Sequence, residues 1–278
     1  MVAAMAGFAV EDMFLKAGAA YLPTGQVLLF FGLAGLCAFI LLAKRADQPV
    51  LSREYLSKAI LIRSGFEVSG RLFYTLAFVL TPLTFATAIL QATPLVVVAG
   101  AAIFLGEKVG WRRWIAVAIG LVGVLLILRP GAEEFEPLSV LAVLGMLGFA
   151  GRDLSTRAAA PSLSNAQLGI CGFAMLSVAG AILSIQSGLV VPSGPALLRI
   201  GAATVFGVFA YNSLTIAMRT GEVGAVTPWR YTRLIFGMGL GFAVFSETPD
   251  ALMLIGSALV VGSGVFALFR SGHASNSR

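Results

Sequence analysis

Arg230 and Arg233 stand three residues apart in TPWRYTRLIFGMGLGF, a stretch with no acid before Glu247. Residues at that spacing share a helix face, so two guanidinium groups project together. A guanidinium grips carboxylate or phosphate through parallel N–H bonds, and this pair must find acids on another helix or a bound anion. Tyr231, beside Trp229, adds a ring able to stack on a planar solute. A second charged run, Arg63, Glu67 and Arg71, steps by four through ILIRSGFEVSGRLFY. Asp12 with Lys16, and Asp153 with Arg157, repeat that spacing. Acid and base four apart can pair within one helix, and these two couples are expected to be structural ion pairs; Glu67 and Arg71 have the spacing for a third. The sequence holds no catalytic grouping. His273 is the single histidine and lies in the C-terminal tail, there is no HExxH, and Cys37 and Cys171 have no metal-ligand spacing. No metal and no cofactor is expected, and the chain is not expected to be an enzyme. A phosphate-binding GxxxxGK[ST] loop is also missing, so work would be driven by a gradient or by exchange.

The elements that position these charges are membrane spans. Apolar residues make up 58% of the 278, charged residues 12%, and the mean hydropathy is +0.94. A soluble domain carries roughly twice that charge, about 25%. The net charge of +6 is spread among apolar spans rather than gathered on one face, which excludes a nucleic-acid partner. Spans of about 20 residues are expected near residues 1–20, 25–43, 58–80 and 83–105, then, after a basic connection at 106–114, one running to about 128, and further spans near 138–159, 165–185, 197–218, 223–245 and 251–269, followed by a polar, disordered tail. Pro94 and Pro228 fall inside two of them. Glu11 and Asp12 interrupt the first apolar run, so it does not read as a signal peptide. Its shortness suggests that the native helix begins upstream of Met1. With the N-terminus cytoplasmic, twelve bases fall on inside segments (Lys44, Arg45, Arg53, Lys58, Arg63, Lys108, Arg112, Arg113, Arg157, Arg219, Arg270 and Arg278) against three outside (Lys16, Arg129 and Arg199). That asymmetry places both termini inside. Counted from the expected helix ends at about 1.5 Å per residue, Asp12, Glu67, Arg71, Asp153, Arg230 and Arg233 lie near mid-depth. A charge there is costly, so these groups should face one another or a cavity.

The chain also repeats itself. GFAVEDMFLKAGAAYLPTGQ (7–26) aligns with GFAGRDLSTRAAAPSLSNAQ (148–167) at an offset of 141, and GVLLILRPG (123–131) aligns with GVFALFRSG (264–272) at the same offset. Glu107 falls opposite Glu247, a pair read as structural. Two halves of five spans, 1–131 and 132–278, must enter the membrane in opposite senses. That is the inverted repeat of many secondary transporters. An asymmetric solute should be read where the halves differ. Glu11 stands opposite Arg152, Glu67 and Arg71 opposite Gly207 and Tyr211 (with Asn212 adjacent), and Arg230, Tyr231 and Arg233 opposite Leu90, Gln91 and Thr93. The candidate solute-binding set is therefore Glu11, Glu67, Arg71, Arg152, Tyr211, Asn212, Arg230, Tyr231 and Arg233.

The stretch AILQATPLVVVAGAAIFLGEKVGWRRWIAVAIGLVGVLLILRPG (88–131) resembles the EamA domain of the drug/metabolite transporter superfamily: a proline in mid-helix, a Gly-Glu that closes it, then a glycine-rich span. The second half departs from the pattern, with Leu234 in place of the proline and Ser246 in place of the glycine before Glu247. The resemblance implies ten helices, cytoplasmic termini and a central cavity. It further implies an inner-membrane carrier of a small polar, zwitterionic or anionic metabolite, with amino-acid-like export as the leading expectation. Uptake of a cofactor or vitamin such as riboflavin or S-adenosylmethionine is the alternative. A membrane enzyme or a scaffold without transport is remote. The expected partners are the solute, membrane lipid, and a coupling proton or counter-solute.

Overall fold

The computed structural model describes residues 1–107, 109–129, 137–158, 163–220 and 227–275. The proposed boundary between residues 131 and 132, Lys108 and Arg278 lie outside the described residues, as do the side chains of Arg157, Arg219, Pro228, Arg270 and His273. Within them every regular element is helical: α1 (Val2–Gly18), α2 (Thr24–Arg45), α3 (Lys58–Leu80), α4 (Leu83–Leu90), α5 (Thr93–Phe104), α6 (Trp111–Leu128), α7 (Val140–Ala158), α8 (Asn165–Ser187), α9 (Gly194–Thr220), α10 (Thr232–Phe245) and α11 (Ala251–Ser275), with short 3₁₀ turns between some of them. Six stretches are long and apolar enough to cross a membrane. Leu33, Leu41, Ile103, Phe104, Leu198 and Phe242 turn apolar side chains outward, as lipid-facing surfaces do. The protein is an all-α polytopic membrane protein.

Two spans are broken, and the cause is local. Pro94 has no N–H and its ring would clash with the carbonyl four residues back. The fourth span accordingly ends α4 at Leu90, turns through Gln91 and Ala92, and restarts as α5; the Thr93 hydroxyl takes the freed Leu90 carbonyl at 2.5 Å. In the ninth span a 3₁₀ turn, Thr227–Tyr231, precedes α10. The backbone of the last helix continues to Ser275, so the disordered tail expected from residue 270 is a helical extension that far. No proline intervenes there, and each added residue extends an existing hydrogen-bond ladder.

The principal packing pairs are α2 on α8, α3 on α7, α6 on α11 and α1 on α9, with α1 and α4 on α10 and α5 on α7. Exchanging each span for the one five places along maps this set onto itself. Contact is close because small residues meet there. A Cβ on Gly180 would sit 2.3 Å from the Leu29 backbone nitrogen. Gly123 and Gly256 face each other so tightly that a Cβ on either would lie 2.7 Å from the other's carbonyl oxygen.

Candidate functional site

The buried charges converge from four spans. On one side, Asp12 of α1 accepts from the Tyr74 hydroxyl of α3 at 3.0 Å and from Arg233 of α10 at 2.5 Å. Glu11 lies 3.0 Å from Arg71, yet neither Glu11 oxygen receives a well-directed hydrogen bond. On the other side, Glu67 is shared by Arg63 and Arg152, each at 3.2 Å, and Arg152 also reaches its neighbour Asp153 at 2.8 Å. Asp153 meets Arg230 at 3.4 Å. Several arginines also lie over rings: Arg71 over Phe31, Arg152 over Phe149, and Arg233 over Phe8 and Tyr74. Stacking of this kind satisfies the guanidinium face and leaves its edge for acids.

Two expected intrahelical pairs are corrected, and the third, Asp153 with Arg157, rests on a side chain outside the described residues. Asp12 does not pair with Lys16; Lys16 instead reaches Glu247 at 2.9 Å and the Thr81 carbonyl at 2.8 Å. Glu67 pairs back to Arg63 and across to Arg152, while Arg71 turns to Glu11. Asp153 engages Arg152 and Arg230, and the Arg157 side chain lies outside the described residues. The reason is common to the two corrected pairs. A spacing of four permits an intrahelical contact, but a tightly packed neighbouring helix offers a partner that stays out of lipid.

Between these layers lies a cavity of about 830 Å³, counting the space continuous with its mouth. Glu67, Arg71, Arg152, Tyr211, Arg230, Tyr231 and Arg233 all line it. Glu11 sits behind Arg71, and Asn212 is not among the lining residues. Two features of the site escaped the sequence reading. Gln91, in the α4–α5 break, donates to the Arg230 carbonyl at 3.2 Å and ties the two broken spans together. Arg63, counted above among the inside bases, is buried and belongs to the charge network. A polar residue three before a mid-span proline was the available signal for Gln91; Arg63 showed only its spacing to Glu67.

The cavity lies toward the end of the bundle that carries both termini. The opposite end is packed by Leu15, Val27, Leu28, Leu83, Ala142 and Ala196 and held by one carboxylate. Glu247, in the α10–α11 turn, accepts from the backbone N–H groups of Leu83 (2.7 Å) and Thr84 (2.9 Å), the Thr84 hydroxyl (2.6 Å) and Lys16. Ser246 adopts the left-handed conformation needed to aim the turn. Burial opposes the Glu247 charge, but the Thr84, Leu83 and Lys16 hydrogen bonds outweigh it and hold the carboxyl below the usual carboxylate range. A lowered folded pKa means that this contribution is complete above about pH 4.3 and is lost as pH falls through the lowered value. Glu247→Gln should destabilise the fold by about 1–3 kcal/mol. Thermal unfolding from pH 7 down to pH 3 should show a shallower loss of stability in the variant; equal slopes would refute an ionised Glu247 seal.

Residues 1–129 match the family model of the EamA-like transporter family. The first half of the chain thus carries an EamA-like domain, and its relatives extend the likeness over most of its length. This EamA-like chain is 26% identical over 255 residues to a riboflavin transporter of Rhizobium johnstonii, covering 92% of this chain and 82% of the relative. It is 25% identical to an S-adenosylmethionine uptake transporter of Rickettsia felis (72% and 68% covered), and 29% identical to a pseudopaline exporter of Pseudomonas aeruginosa (91% and 89% covered). A solved crystal structure superposes over 98% of both chains with a TM-score of 0.68 at 19% identity, which establishes the fold. The EamA-like chain is thus a small-molecule transporter of the drug/metabolite type and a multi-pass membrane protein.

Proposed function

We propose that the protein is a secondary carrier of the bacterial inner membrane that moves a small zwitterionic or anionic metabolite by alternating access, with both termini cytoplasmic. The observation that carries this reading is the arginine-lined cavity bounded by two broken spans and sealed at the far end through Glu247. The self-mapping pattern of helix contacts supports two inverted halves, 1–131 and 132–278. In such a frame the far-end seal has a counterpart state in which that end opens. With cytoplasmic termini, the described state holds its cavity nearer the cytoplasm.

The relatives support cargo of either direction. The pseudopaline exporter favours export. The riboflavin and S-adenosylmethionine transporters favour uptake of a ring-bearing cofactor, and Phe8, Phe149 and Tyr231 in the cavity wall supply surfaces for a ring. Counterflow in proteoliposomes, run on hits from a metabolite thermal-shift screen, tests the proposal. A solute that stabilises the protein and exchanges across the bilayer is expected; hits that bind without exchanging would sink it. Coupling is assigned to a proton on Glu11 or Glu67. Glu11→Gln or Glu67→Gln should abolish gradient-driven accumulation and preserve exchange, and unchanged accumulation in both variants would exclude proton coupling there.

A further inference from the structure

The two aspartates of the repeated motif occupy opposite situations. Asp12 is sealed, with 1% of its side chain exposed, and is held by Tyr74 and Arg233 from neighbouring helices. Asp153 is 22% exposed; its described partners are its own neighbour Arg152 and Arg230 at 3.4 Å. Both of those arginines line the cavity. Charge is unequal as well. Around Asp12 two carboxylates, Glu11 and Asp12, meet two guanidiniums, Arg71 and Arg233. Around Asp153 two carboxylates, Glu67 and Asp153, face three guanidiniums: Arg63, Arg152 and Arg230. Among the described residues, the surplus positive charge thus belongs to the half of the network in which the acid is partly exposed and its contact with Arg230 is long.

We infer that Asp153 is a tethered stand-in for the cargo's own acid group: a carboxylate or phosphate on the solute binds between Arg152 and Arg230 and takes over Asp153's place on Arg230. This rests on the carrier reading above and specifies its cargo as carrying an anionic group. Arg152 remains compensated by Glu67 throughout, so the exchange leaves no arginine unpaired, and an added monoanion balances the surplus. The tether also has a kinetic role. An empty carrier that must reorient keeps Arg230 paired through Asp153, whereas a loaded one pairs it through the cargo. A carrier without the tether would reorient loaded far better than empty.

The test uses the full-length protein in detergent with acetate, inorganic phosphate and, as an ionic-strength control, chloride. Asp153→Asn removes the internal competitor and should lower the acetate or phosphate concentration for half-maximal thermal stabilisation at least tenfold relative to wild type. Asp12→Asn should not. The more effective anion identifies carboxylate or phosphate as the preferred group. Adding Arg230→Gln to Asp153→Asn should erase the gain. An unchanged anion response in Asp153→Asn, a chloride response of equal size, or a gain that survives Arg230→Gln would each overturn the inference. If Asp153→Asn does not fold, Arg230→Gln alone, which leaves Asp153 on Arg152, must weaken the wild-type anion response; an undiminished response overturns the assignment. In proteoliposomes Asp153→Asn should retain exchange while net one-way transport falls at least tenfold, and equal loss of both would reduce Asp153 to a structural residue. Wild-type counterflow with no change in these anion responses would reject the stand-in and leave the carrier reading intact.

Discussion

Replacing Asp12 with asparagine should destabilise the protein more than any other single change at the site. The substitution leaves Arg233 buried without its anion, and breaking a buried pair from one side costs about 3–5 kcal/mol. Asp12 also accepts the hydroxyl of Tyr74, a fully buried ring packed against Phe78 and Phe149, so α1, α3 and α10 loosen together. Arg233→Met should cost a comparable amount for the complementary reason, an uncompensated carboxylate. The double variant Asp12→Asn/Arg233→Met should be more stable than the sum of the two predicts, by about 0.5–3 kcal/mol of coupling, because it leaves no unpaired charge. Thermal unfolding of the three variants in detergent measures this. Additive losses would show that the 2.5 Å contact contributes nothing as a pair.

Replacing Arg230 with alanine should act on transport rather than on folding. Its side chain is 23% exposed, its described acid partner is the 3.4 Å contact to Asp153, and its carbonyl bond from Gln91 survives the substitution. A charge-assisted hydrogen bond to a solute acid is worth about 1.5–3 kcal/mol, which is roughly a ten- to hundredfold rise in the concentration for half-maximal counterflow. Lysine should recover part of that loss, because it restores the charge but not the two-pronged geometry. If Arg230→Ala and Arg233→Ala together transport a confirmed solute normally, the cavity described here is not the solute site.

Much of this was readable from residue order. The spans follow from apolar length, and the broken fourth span follows from a proline that cannot continue a hydrogen-bond ladder. Arg71, Arg152, Tyr211, Arg230, Tyr231 and Arg233 were singled out because they differ between the halves, and all six line the cavity. The choice of partners was not readable. Lys16 reaches Glu247, 231 residues away, rather than Asp12 four residues away. Glu247 read as structural from its place opposite Glu107, and it caps α4 from the turn after α10.

Sequence alone determined which charges fall inside apolar stretches, and that an aspartate recurs at the same place in the two GFA motifs. Those facts depend on composition and spacing along one helix at a time. The tertiary structure decided which aspartate is sealed and which stays accessible, since that depends on the helix packed opposite. Tyr74 and Arg233 close over Asp12, whereas Asp153 is left with Arg152 and a long contact to Arg230. An aspartate that recurs at the same place in a repeated motif became a clamp at one position and a partly exposed counter-ion at the other, because the energy of a buried charge is set by the groups that surround it.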